Sequence, residues 1–109
     1  MSKLKLAVGN IALIPLKLTV KEGSVTRRHE FTLTANRKSI APVLNKDQSG
    51  REFLLENITD WGSQRLVLLE NGEPAPFTPE NFEFMLDELS LEGVIFTAYV
   101  RECGGKEKN

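Results

Sequence analysis

The stretch LIPLKLTVKEGSVTRRHEFTLTA, residues 13–35, decides the fold. Ile14, Leu16, Leu18 and Val20 alternate with Pro15, Lys17, Thr19 and Lys21, the period of a strand with one buried face. Lys21-Glu22-Gly23-Ser24 predicts a turn, because Gly23 takes positive φ without steric cost. The return strand carries Val25, Phe31 and Leu33 on one parity, and Thr26, Arg28, Glu30, Thr32 and Thr34 on the other. Arg27 and His29 fall on the apolar parity beside the turn, so the hairpin tip is expected to project beyond the core with both faces wet. Upstream, Leu4, Leu6 and Val8 predict an added edge strand, with Gly9-Asn10 as a turn.

Downstream of the hairpin the period changes. Residues 36–50 are polar and turn-rich, with one short helical turn expected around Ile40 to Leu44. A helix is predicted over about 50–60. Leu54, Ile58 and Trp61 recur at spacings of four and three, flanked by Phe53, while Glu52, Glu56 and Asp60 take the other side. Leu66 to Leu69 reads as a short buried strand ended by Glu70-Asn71-Gly72. Pro74 and Pro76 then hold the chain extended into a helix start. Thr78 is the N-cap, Pro79 the first helical residue and Glu80 an acid in the first turn. Phe77 and Phe82 have the spacing of a hydrophobic staple. Phe82, Met85, Leu86 and Leu89 form that helix's core stripe, and Ser90 is read as the cap of a last helix from about Leu91 to Cys103. The prediction is one α+β domain over residues 1–103, an N-terminal antiparallel hairpin or small sheet packed on about three C-terminal helices, with residues 104–109 as a flexible tail.

Composition narrows the function. The chain is 40% hydrophobic and 27% charged with net charge −1, ordinary for a globular domain and no bulk attraction for nucleic acid or an acidic membrane. Cys103 is the single cysteine, so no intrachain disulfide forms, which fits a reducing compartment. The start MSKLKLAVGNIALIPL imitates a secretory signal, but Asn10 and Pro15 break its apolar run and KLTVKEG stands where a cleavage site belongs. A soluble, cytoplasmic protein is expected.

No cluster of residues asks for chemistry. His29 lies beside Arg27 and Arg28 with no ligand partner at metal-binding spacing, and Cys103 has no neighbouring base. Glu52, Glu56 and Asp60 read as a solvated helix face, as do Asp87 and Glu88, and no glycines form a phosphate loop. No catalytic residue, cofactor or metal is therefore expected. Arg27, Arg28, His29, Arg37 and Lys38 read as charges that block edge-to-edge strand pairing, because a nucleic-acid surface would interleave aromatics for stacking.

The informative signal is surplus apolar surface. Phe84 lies about 200° around the helix from Phe82 and cannot share its stripe. In the last helix Ile95 and Tyr99 define one stripe, and Phe96, Val100 and Cys103 a second. Either that helix is sandwiched inside the fold or one side meets another chain. Phe84, Phe96 and Val100 are the candidate partner-binding residues, and a homo-oligomer is one such assembly.

The segments LKLTVKEGSVTRRHEFTLTA, FLLENITDW, LENGEPAPFTPENFEFML and VIFTAYV, in that order, resemble the small tail assembly chaperones of long-tailed bacteriophages over most of residues 14–101. The carrying features are a helix ending at Trp61, an acidic-Gly-x-Pro corner leading to Thr78, and a last helix ending near Ala98-Tyr99. The resemblance implies a non-enzymatic role: coating the tape-measure protein and helping to recruit tail tube subunits. It also implies, for several members, a longer product made by ribosomal slippage, for which Gly104-Gly105-Lys106 offers a codon context. A structural tail or connector subunit is the alternative, and a small nucleic-acid-binding regulator a more distant one.

Overall fold

The computed structural model describes residues 9–103. The expected edge strand at Leu4, Leu6 and Val8, and the tail 104–109, lie outside the described residues. Strands β1 (Ile11–Glu22) and β2 (Val25–Asn36) form the hairpin, in register Ile14 to Leu33 and Leu16 to Phe31. It closes at Glu22 opposite Val25, so the loop is Gly23-Ser24, one residue later than the sequence suggests. Gly23 takes φ 66° while Ser24 stays negative, the sign pattern of a type II′ turn, whose twist suits a hairpin.

A short helix α1 (Ala41–Leu44) leads to α2 (Gly50–Asn57). Ser49 caps α2: its Oγ accepts the Glu52 N–H at 3.0 Å, and a Glu52 carboxylate oxygen accepts the Ser49 N–H at 3.1 Å. Here the structure corrects the sequence reading. The helix stops at Asn57, and Ile58–Gly62 form a third strand, β3, antiparallel to β2 in a sheet ordered β1-β2-β3. Thr34 pairs with Asp60 but Ala35 with Ile58, so Thr59 is an extra, bulged residue. The bulge returns Ile58 and Trp61 to the same face of the sheet. Their spacing of three belongs to a bulged strand, not to a helical turn.

The expected strand at Leu66 to Leu69 is also absent. Val67 is buried, but Leu68 and Leu69 are 46% and 45% exposed, and a single bridge joins Leu68 to Pro74. Pro74 and Pro76 lack the N–H groups that would extend a ladder. The loop is held by Ala75 N–H on Val67 O at 2.9 Å and Leu69 N–H on Glu73 O at 2.8 Å, with Gly72 at φ 88°.

Helix α3 (Pro79–Leu89) begins as expected, with Thr78 Oγ1 accepting the Asn81 N–H at 3.0 Å and the Phe77 and Phe82 rings 5.8 Å apart. Ser90 is not the cap of the last helix. It terminates α3 in the left-handed region, φ 54° and ψ 44°, and α4 (Glu92–Cys103) starts two residues later. One face of the sheet, with Ile14, Leu16, Leu33, Ala35 and Ile58, packs on Phe53, Leu54, Phe82, Met85, Leu86, Ile95 and Tyr99 from the helices. Burying each of the Leu, Ile, Phe and Met side chains among them stabilises the fold by about 1.5–3 kcal/mol. The result is a two-layer α+β fold, as predicted.

Beyond Leu18 and Phe31 the hairpin leaves that core. No residue from Lys17 to Glu30 is buried, and the molecule measures 55 × 30 × 27 Å. Its radius of gyration of 15.6 Å exceeds the ~13 Å of a compact chain of similar length. The distal hairpin is an arm.

Candidate interaction surface

The candidate surface begins with the way α2, α3 and α4 are locked together. Arg51 of α2 reaches Glu83 at 2.9 Å and Asp87 at 2.7 Å on α3, and Glu92 at 3.8 Å on α4. The hydrogen bonds to Glu83 and Asp87 push the guanidinium pKa further up from its already high value. Glu83 and Asp87, about half exposed, lie on the side of α3 toward Arg51. Phe82, Met85 and Leu86 face the core, and Phe84 stands 53% exposed. Glu80 and Glu88, four residues to either side of Phe84, are exposed as well, which makes an acid-aromatic-acid stripe.

Helix α4 packs against β1 and α2. Ile95, Ala98, Tyr99 and Cys103 are its buried residues, so Cys103 belongs with Ile95 and Tyr99 rather than with Phe96 and Val100. Phe96 and Val100 are half-buried, and Val94 is 46% exposed. Phe96 also meets Phe53 edge-to-face at 6.0 Å, so one side of its ring is committed to the core. The three candidate residues therefore sit on two helices with graded exposure, Phe84 the most open.

Tyr99 was legible only as an apolar stripe member, yet its hydroxyl does more. It accepts the Lys38 N–H at 2.8 Å and donates to Asn36 O at 2.7 Å, tying α4 to the end of β2. Burial pushes its pKa up, and burial likewise pushes up the Cys103 thiol, the reverse of what activates a nucleophile. His29 sits half-buried on the arm, its Nε2 enclosed and without a hydrogen-bond partner among the described residues. Among the described residues no group of three or more His, Cys, Asp or Glu side chains could hold a metal ion, and no helix is long and apolar enough to cross a membrane.

A second feature was not anticipated. An open groove of about 600 Å³ runs beside β3, lined by Trp61, Phe77, Pro74 and Pro76 with Asp60 and Arg65. Trp61 meets Phe77 edge-to-face at 5.4 Å and donates its indole N–H to Ala75 O at 3.1 Å. Gln64, almost fully buried, organises the wall. Its Oε1 accepts the N–H groups of Leu66 and Val67, and its Nε2 donates to Val67 O and Ala75 O. The cue to this wall was a polar residue directly between a strand and a proline corner, whose backbone groups needed a partner. Comparison with protein-family models, curated proteins and solved structures returned no match.

Proposed function

We propose that this chain is a non-enzymatic assembly chaperone of bacteriophage tails that holds the tape-measure protein and helps recruit tail tube subunits in the bacterial cytoplasm. The observation that carries the reading is Phe84, a large aromatic left 53% exposed on a helix whose core stripe is already filled. Half-buried Phe96 and Val100 on α4 extend the apolar surface on offer. A surface of this kind suits an amphipathic client helix, which lays its apolar face on such residues. The order of segments that resembles the tail chaperones supplies the identity of the client.

The test is co-expression with helical segments of a tape-measure protein. Wild-type chain is expected to keep the client soluble and to copurify with it. Phe84→Ser and Val100→Ser weaken copurification while melting remains cooperative. Phe96→Ser also costs stability, because its ring edges onto Phe53. Unchanged copurification by Phe84→Ser would sink the assignment. The projecting arm favours a second reading, a structural tail or connector subunit that bridges neighbours, and retention of the protein in finished virions would select it.

A further inference from the structure

We infer that Asn10, Asn36, Arg37 and Lys38 form a site for a phosphate dianion, free or carried on a small monoester. The two cations fall past the last residue of β2, the central strand of the sheet, so they guard no strand edge. Together with the two asparagines they line a pocket of about 410 Å³, and no carboxylate lines it. The backbone around the pocket is fixed from two sides. Arg37 N–H donates to Asn10 O at 2.6 Å, clasping the residue before β1 to the residue after β2. On the other side the Tyr99 hydroxyl of α4 holds Asn36 O and the Lys38 N–H.

Charge balance at Arg37 selects an anion. Among the described residues two arginines are half-buried, Arg37 and Arg51. Arg51 is met by three carboxylates, those of Glu83, Asp87 and Glu92. Arg37 has no carboxylate partner among the described residues, and its Nε donates to a neutral acceptor, Gly9 O, at 3.2 Å. Glu102, the acid next to Cys103 on α4, is engaged by Arg101 at 3.5 Å. A partly desolvated guanidinium is costly without a counter-charge. Its other N–H groups form a planar fork suited to phosphate oxygens. Two cations and the carboxamides of Asn10 and Asn36 answer both the double charge and the several acceptor oxygens of a phosphate dianion. The volume falls in the range of small-molecule sites, about 300–1,000 Å³, which leaves room for the substituent of a monoester. Upstream, residues 1–8 add Lys3 and Lys5 and no acid. None of this involves Phe84, Phe96 or Val100, so the site is independent of any helical client.

The experiment titrates inorganic phosphate, and separately phosphoserine, into the full chain at constant ionic strength, followed by calorimetry and by NMR of side-chain N–H signals. Saturable binding is expected, with shifts at the Arg37 Nε–H and at the Asn10 and Asn36 carboxamides. Tighter binding of phosphoserine assigns the monoester and equal binding the free anion, and both sustain the site. Arg37→Gln is expected to weaken phosphate about tenfold or more, the loss of one charge-assisted contact. Lys38→Gln, at an exposed position, weakens it severalfold and carries the test if Arg37→Gln melts early. Arg65→Gln, which removes an exposed cation elsewhere, leaves binding unchanged. Three results overturn the inference. One is titration without saturation by tens of millimolar, with shifts spread evenly over surface lysines. Another is wild-type affinity in both Arg37→Gln and Lys38→Gln. The third concerns Glu107, the one acid in residues 104–109: binding seen only in Glu107→Gln would give the site to that carboxylate.

Discussion

Replacing Tyr99 by phenylalanine deletes one oxygen and leaves the ring, with its 5.0 Å edge-to-face contact on Phe53, in place. Two hydrogen bonds disappear, from Lys38 N–H to the hydroxyl and from the hydroxyl to Asn36 O. Each is worth about 0.5–1.5 kcal/mol net, so the pair amounts to about 1–3 kcal/mol. Lys38 is exposed and its amide can turn to water, whereas Asn36 is half-buried and its carbonyl is harder to rehydrate. The middle of the range, about 2 kcal/mol, is therefore expected. At about 4–8 °C per kcal/mol for a domain of this size, the midpoint falls by about 8–16 °C. Urea and thermal unfolding measure the loss. Hydrogen exchange at the Lys38 amide reports its origin, with faster exchange expected in the variant. A midpoint within about 2 °C of wild type, or an unchanged Lys38 amide, would refute the tether.

Two more perturbations follow from the same description. Tyr99 and Cys103 both have folded pKa values raised by burial, so the folded state keeps its protons longer than the unfolded chain does. Their contribution is complete below their ordinary values of 10.0 and 9.0 and is lost as pH climbs through the raised values. Urea melts from neutral pH upward are expected to show stability falling above pH 9, less steeply in Tyr99→Phe, and stability rising there contradicts the assignment. Ser90 holds a left-handed conformation that favours glycine, so Ser90→Gly is expected to stabilise by up to about 1 kcal/mol, measured by urea unfolding. A loss of stability would show that the Ser90 side chain has a role of its own.

The hairpin and the start of α3 were legible because local rules act there without competition. Strand alternation, a glycine at the turn, and the Thr78-Pro79-Glu80 cap all favour the observed conformation. β3 was misread for a physical reason. One bulged residue, Thr59, turns a strand's period of two into a spacing of three between Ile58 and Trp61, which is indistinguishable in sequence from a helical turn. Ser90 was misread because serine is a common N-cap, and only the abrupt arrival of α4 two residues later forces it into the left-handed region instead. Of the candidate surface, Phe84 was visible from its angle to Phe82. The groove beside Trp61 was not, because it needs the loop around Leu69 to Glu73 to fold back through Gln64, a long chain of side-chain to backbone bonds with no periodic signature.

Trp61 is the only tryptophan in the chain, and it stands half-buried in the wall of that groove. The protein thus carries its own optical probe at a surface open to a visitor. A peptide entering the groove must cover part of the indole that water now reaches, and the emission should then move to shorter wavelength. Unfolding frees the indole from Phe77 and Ala75 and moves it the other way. Occupancy and stability can therefore be followed in opposite spectral directions on unlabelled protein, from a single native fluorophore.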